Sequence, residues 1–291
     1  MWDLPAGADV GTLDGYDGER WAVGITGNRA RMGDGIMNAR GTLWDHGKVA
    51  LRVSDEIPHL NDVNAAGLVV GDTVVGNGFV GITVDHDGTT HQLPGDPAWD
   101  GYSADLVSDS GDIVGTATVD LKSRVVVWPA GAPGTYRVLP TPDVKYLHLQ
   151  DVDRQGRIIA QGDSNVGGLV WDTDGRWRQL ASNGTPWAVR DGRVVGGLND
   201  TSAAAEWTAR GTLVRTTGSG ALDATAIGGN GTAATGSSTP SGGRCSGVTA
   251  WSATRCPPSR PGSPSTGSAT TNGRWSAWNP AGRSSTTAAD R

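Results

Sequence analysis

Carboxylates are the most numerous groups in this chain that could do chemistry, and their spacing says what chemistry that would be. Asp85-x-Asp87-Gly88 and Asp172-x-Asp174-Gly175 each set two carboxylates two residues apart before a glycine, and Asp151-x-Asp153 repeats the spacing. A calcium loop gathers several oxygens and closes with a distal glutamate, which these segments lack. Asp and Gly are also the residues that a tight hairpin turn prefers for backbone reasons, so turns are expected here. His46 and His86 each follow an aspartate at the same slot of successive segments, which puts each on its own turn. His59, His91 and His148 have no ligand spacing to one another, so no metal site is read. A glycosidase needs two carboxylates facing each other across a sugar bond. The only glutamates are Glu19, Glu56 and Glu206, and most aspartates fall in turn slots. A serine hydrolase would place its nucleophile in a Gly-x-Ser-x-Gly elbow between strand and helix. The nearest lookalike surrounds Ser237, in serine-rich sequence with no helix after it. The sequence therefore offers no catalytic, cofactor-binding or metal residues.

Aromatic side chains leave one further possibility. Trp99, Trp177 and Trp187 fall outside the repeated tryptophan slot described below. An exposed Trp stacks on a sugar ring or anchors a protein partner, which makes these three the candidate ligand-stacking residues. Packing between sheets is the alternative in a chain with a single Phe.

The elements that would position such groups are strands. Gly is abundant, 45 of 291 residues, without a collagen period, which implies many tight turns. Helical periodicity is absent, and Gly or Pro interrupts nearly every short window. The segments Leu60–Gly71, Ala104–Gly115 and Leu149–Ala160 share one length and one rhythm, and Leu13–Gly24 follows it. In each, an apolar residue precedes a polar turn that ends in Gly, and two or three apolar residues and a small one follow. Asn, Asp and Ser open such turns by bonding nearby backbone, and Gly accepts the positive φ at the end. Ala188–Gly196 is tighter by one residue in its turn, and Ala226–Thr235 is a weaker copy.

Between these hairpins, short strands end at Trp44, Val84, Trp128, Trp171 and Trp207, with Trp2 and Trp251 as further candidates. Each repeat of about 40 residues thus supplies four short strands, and one such sheet cannot cover both of its faces alone. Stacked radially, the sheets cover one another. The predicted fold is all-β, a β-propeller of six to seven four-stranded blades, over residues 1–235.

The pattern Leu60-Asn61-Asp62-Val63-Asn64-x-x-Gly67-x-Val69-Val70-Gly71, followed by a strand ending in Trp, resembles the HAF-type extracellular repeat proteins. The resemblance covers Met1 to about Thr235. It implies a propeller-like repeat fold, export from the cell, and no established activity. The two Asp-x-Asp-Gly turns are similar to the Asp-box hairpins of sialidase-like propellers, in which the aspartate is structural.

Net charge is −6, which argues against a nucleic-acid footprint. No apolar run is long enough to span a membrane. Met1–Val10 has neither a basic nor an apolar region, so no signal peptide is expected there. Cys245 and Cys256 could form one disulfide, which does not define a compartment. Composition changes abruptly after Thr235. Val248 is the only Val, Ile or Leu of residues 236–291, and the segment is rich in Ser, Thr, Pro and Arg. It is read as disordered, or as translated out of frame, which would leave the propeller incomplete. Taken together, these features point to a non-enzymatic binding or scaffold propeller at the cell envelope or exterior. Its partner would be a protein or a glycan, with no cofactor. A carbohydrate-active hydrolase or lyase and a purely structural repeat are the alternatives.

Overall fold

A computed structural model describes strand residues 20–26, 29–34, 42–45 and 48–52, then 59–163, 165–201 and 203–217, and strand residues 222–228, 231–237 and 244–247. Trp2, His46, Trp251, Cys256 and the side chain of Trp44 lie outside the described residues. Every described strand falls in one unit, Met1–Pro257.

The strands form six antiparallel sheets in series. Sheet one holds β1 (Arg20–Thr26), β2 (Arg29–Asp34), β3 (Thr42–Asp45) and β4 (Lys48–Arg52). Sheet two holds β5 (His59–Val63), β6 (Val69–Val75), β7 (Gly78–Val84) and β8 (Thr90–Gln92). Sheet three holds β9 (Gly101–Val107), β10 (Ile113–Val119), β11 (Lys122–Trp128) and β12 (Arg137–Val138). Sheet four holds β13 (Leu147–Val152), β14 (Ile158–Gly162), β15 (Gly168–Trp171) and β16 (Trp177–Gln179). Sheet five holds β17 (Gly184–Arg190), β18 (Arg193–Leu198), β19 (Ala203–Thr208) and β20 (Leu213–Thr216). Among the described residues sheet six has three strands, β21 (Leu222–Gly228), β22 (Gly231–Ser237) and β23 (Arg244–Gly247), so its pairing continues past Thr235.

The first strand of each sheet packs on the first strand of the next: β1 on β5, β5 on β9, β9 on β13, β13 on β17 and β17 on β21. First strands therefore converge at the axis and fourth strands lie outside, which is the β-propeller arrangement. The hairpins read from sequence are present. In sheets two to four, Asn64, Ser108 and Asp153 each accept from downstream backbone N–H groups through the side-chain oxygen. Gly67, Gly111 and Gly156 close these turns with φ of 86°, 91° and 80°. The tighter turn of sheet five runs through Asp191 and Gly192, both at positive φ. Sheet one differs from the sequence expectation. Trp21–Gly24, aligned there with a second strand, lies in β1, because the Thr26↔Arg29 pairing puts the hairpin two residues beyond it.

The tryptophan slot is real and equivalent around the axis. Trp44, Val84, Trp128, Trp171 and Trp207 all lie on the third strand of their sheets. They pair with Ala30, Val69, Ile113, Ile158 and Val194 on the second strand. Trp128, Trp171 and Trp207 are buried. Each indole Nε1 donates across to the chain leaving the preceding sheet, at Pro94 O (2.7 Å), Pro140 O (2.8 Å) and Ala181 O (2.9 Å). One side chain thus fills the space between two sheets and ties them together. Gly184 lies flush on this packing, since a Cβ there would fall 2.2 Å from the Trp207 ring.

Candidate functional site

One irregularity recurs on every first strand. A β-bulge inserts one extra residue: Val23, Asn61, Asp105, Gln150, Trp187 and Thr225 in sheets one to six. A bulge leaves its extra residue out of the ladder and re-aims it. The second strand must then come close to the first. A Cβ on Gly71, Gly115 or Gly196 would fall within 1.9 Å of a first-strand carbonyl, which explains the small residue after the Val-Val or Ile-Val pair of the repeat.

Two of these bulge residues, Asn61 and Asp105, line a groove of about 510 Å³ between sheets two and three. Its other lining residues include His59, Asp72, Phe79, Asp100, Ser103 and Thr116. The groove opens at the end of the molecule where the chain passes from sheet to sheet, opposite the Asn64, Ser108 and Asp153 turns. Gly78 and Gly101 keep the mouth open and let β7 and β9 approach. A Cβ on Gly78 would lie 2.8 Å from Asp100 O, and one on Gly101 3.3 Å from Phe79 N.

Two hydrogen-bonded clusters form the polar wall. Asp72, buried, accepts from His59 Nδ1 at 3.0 Å through one oxygen and from Asn61 Nδ2 at 2.7 Å through the other. Asn61 Nδ2 also donates to Ala104 O at 3.1 Å, which fixes its amide plane across the sheet boundary. The hydrogen bond to Asp72 raises the His59 pKa, and burial works against it. Asp105 accepts from Ser103 Oγ at 2.7 Å and from Thr116 Oγ1 at 3.1 Å. Enclosure by protein desolvates Asp105 and pushes its pKa up to about 6, its hydroxyl partners oppose the shift, and the charge of Asp72 adds to it. Ser103 and Thr116 are cross-strand partners, as are His59 and Asp72, so the same slot in adjacent sheets carries both clusters.

Two aromatic rings line the groove beside these clusters. Phe79 is 49% exposed, with its ring centroid 6.2 Å from that of His59. Tyr102 contributes its ring, while its hydroxyl donates to Leu93 O at 2.6 Å and is engaged there. Val74 pairs with Phe79 across the β6–β7 hairpin and is also exposed.

The three candidate tryptophans lie elsewhere and on different elements. Trp99, half-buried, sits between Tyr102 and Tyr136 in edge-to-face contacts with centroids 5.4 and 4.9 Å apart. Trp177, 37% exposed, is on the outer strand β16 opposite Trp171. Trp187 is the half-buried bulge residue of β17. The aspartate turns serve the backbone. Asp87 accepts from Thr89 N and Asp174 from Arg176 N, and Gly88 and Gly175 have φ of 88° and 75°. Among the described residues, no three His, Cys, Asp or Glu side chains are placed to hold a metal ion.

Asp151 has a role that its spacing does not reveal. Its two oxygens accept from Val152 N at 2.9 Å and from Val189 N of sheet five at 2.8 Å. Asp62 does the same between sheets two and three, accepting from Val63 N and Val107 N. Burial pushes the Asp151 pKa up to about 7 against these hydrogen bonds, and the charges of Asp62 and Asp153 contribute. These carboxylates join adjacent first strands near the axis, each oxygen accepting from a backbone N–H.

No family model matches the chain, and no curated protein matches it. Solved structures do match in fold. One is a nidogen/laminin complex, at 10% identity and a TM-score of 0.50, over 68% of this chain and 80% of that one. Another is virginiamycin B lyase from Staphylococcus aureus, at 13% identity and a TM-score of 0.51, over 77% and 83%. A third is the computationally designed protein Ika8, at 16% identity and a TM-score of 0.51, over 80% and 72%. At these identities the likeness concerns the propeller fold alone.

Proposed function

We propose that this protein is a non-enzymatic binding propeller whose ligand sits in the groove between β5–β7 and β9–β10. The observation that carries the reading is the state of the groove's carboxylates. Asp72 and Asp105 each accept two internal hydrogen bonds, so both are fixed in place as recognition groups. Pre-organised polar groups beside two aromatic rings, in a cleft of this volume, are what a small-ligand or side-chain pocket requires. Resemblance to the HAF-type repeats supports a place at the cell envelope or exterior. Among the described residues no helix is long and apolar enough to cross a membrane.

The test is a thermal-shift screen of saccharides, short peptides and polar fragments on the intact chain, alongside turnover assays with chromogenic glycosides and esters. The reading expects a binder that is lost in a Thr118→Trp variant, which fills the groove, and no turnover. A binder indifferent to Thr118→Trp would overturn it.

A carbohydrate-active reading has one specific observation in its favour. Asp105 is raised to about 6 beside a second carboxylate, which is how a general acid is poised. Glycoside turnover that disappears in Asp105→Asn would favour this reading over binding alone.

A further inference from the structure

We infer that Asn77 is a site of spontaneous deamidation, at which the groove mouth exchanges an amide for a carboxylate and its hairpin loop gains one backbone atom. The modification consumes water and needs no enzyme. It goes beyond the binding reading above and does not depend on it. Three observations carry it.

First, packing sets Asn77 directly before a glycine. Val75 pairs with Gly78, so the β6–β7 loop is the two residues Gly76 and Asn77. Gly76, with φ of 60°, takes the first position of this turn, where the left-handed region favours glycine. A Cβ on residue 78 would lie 2.8 Å from Asp100 O, so the fold requires a glycine after Asn77 as well. With no Cβ in the way, the Gly78 nitrogen can approach the Asn77 side-chain carbonyl.

Second, the reacting groups are open. Asn77 is exposed, and its carboxamide has no hydrogen-bond partner among the described residues. A Cβ on Gly76 would meet nothing within 4 Å, so the turn stands clear of other atoms. The Val75–Gly78 pair is the last rung of its ladder, and such ends open at little cost.

Third, the chain holds its own contrast. Asn183 also precedes a glycine and is also exposed. Its amide donates to Asp200 Oδ1 at 3.3 Å, and its side-chain oxygen accepts from Asn199 Nδ2 at 3.3 Å. Gly184 is buried and flush on the Trp207 ring. These contacts must break before the Gly184 nitrogen can reach the Asn183 carbonyl.

In the reaction the Gly78 nitrogen gives up its proton and bonds to the side-chain carbonyl carbon of Asn77. The carbon–nitrogen bond of the side-chain amide breaks, and ammonia leaves. Water then opens the succinimide. Cleavage at the former side-chain carbonyl gives aspartate, and cleavage at the main-chain carbonyl gives isoaspartate, whose backbone runs through the side chain. Either product adds a carboxylate to a groove already lined by Asp72, Asp100 and Asp105. Isoaspartate also lengthens a two-residue loop, and loop length fixes hairpin register. The Val74–Phe79 pair, next along the ladder, then shifts and carries the Phe79 ring away from His59.

The intact chain is aged at mildly alkaline pH, folded and in urea, and peptide mapping follows the mass gain of amide-to-acid conversion. Asp-Gly pairs gain no mass on isomerising, so this readout reports asparagine alone. In urea Asn77 and Asn183 should convert at similar rates, and in the folded chain Asn77 should convert at least about tenfold faster. Equal rates in the folded chain would overturn the site. The His59 imidazole NMR signals are then recorded. They should shift further in the converted parent than in fresh Asn77→Asp, which adds the charge alone, and stay in place in aged Asn77→Gln. A shift no greater than that of Asn77→Asp would overturn the change of loop length. Neither readout uses a ligand, so a groove that binds nothing leaves both results standing.

Discussion

Replacing Trp207 by Ala tests the interlocking of sheets more sharply than any other single change. Trp207 has no exposed surface, and it packs with Ile159, Val170, Leu180, Val189, Val194 and Ala205, residues drawn from sheets four and five. Removing a fully buried indole costs about 3–5 kcal/mol, since the lost contacts leave a cavity that the surroundings only partly refill. In a domain of this size each kcal/mol moves the melting temperature by about 2–4 °C, so a fall of about 6–20 °C is expected. Trp207→Phe keeps a ring and removes the donor to Ala181 O. Ala181 is exposed, so water can replace that bond, and the expected cost is about 1–2 kcal/mol, mostly from lost volume. Val84 occupies the same slot in sheet two and is 2% exposed, and Val84→Ala removes two carbons at about 0.8 kcal/mol each before any cavity cost. Urea denaturation of the three variants at equal slope gives the ranking Trp207→Ala, then Val84→Ala, with Trp207→Phe at or below it. If Trp207→Ala cost less than Val84→Ala, the slot would not be the inter-sheet wedge described here.

Gly184→Ala should destabilise the fold by about 1–3 kcal/mol, since its Cβ would fall 2.2 Å from the Trp207 ring, whereas Gly131→Ala, with nothing within 4 Å, should be neutral in the same melts. Asp105 has a folded pKa of about 6, above its unfolded value, so the folded state binds more protons between those values and stability falls as pH rises through that window. Asp105→Asn should flatten that fall, worth at most about 3 kcal/mol, because the Ser103 and Thr116 hydroxyls can turn to suit an amide. An unchanged slope in pH-dependent denaturation would show that Asp105 is not desolvated. Asp72→Asn should lower the His59 pKa, followed by imidazole NMR shifts, because the bond to Asp72 is the main cause of its rise.

What could be read from sequence follows the range of the forces involved. The hairpin turns at Asn64, Ser108 and Asp153 depend on a side chain bonding its own backbone a few residues on, so their pattern is local and visible. The tryptophan slot was visible because each repeat must fill the same wedge, and Val84 was recognisable there through spacing alone. The bulge was hidden, because it is a property of register between two strands. Its signal was nevertheless present, in Asn61, Asp105, Gln150 and Trp187 at one place in successive repeats. The groove was hidden for a different reason: sheets two and three each supply half of it. The sequence singles out tryptophans, yet the exposed aromatic of the groove is Phe79, which follows the Gly76-Asn77-Gly78 turn, where no repeat rule applies. Asp151 looked like part of a metal-like spacing and proves to be a backbone acceptor between sheets, which only the tertiary fold reveals.

Hydrogen exchange with and without a binder found in the thermal-shift screen locates the binding site on the intact chain. Added protection is expected to be confined to residues 59–63, 72–79 and 100–105 and to Thr116–Thr118, the strands and turn that line the groove. Protection centred on the turns at the opposite end of the sheets, or on the outer strand bearing Trp177, would contradict it.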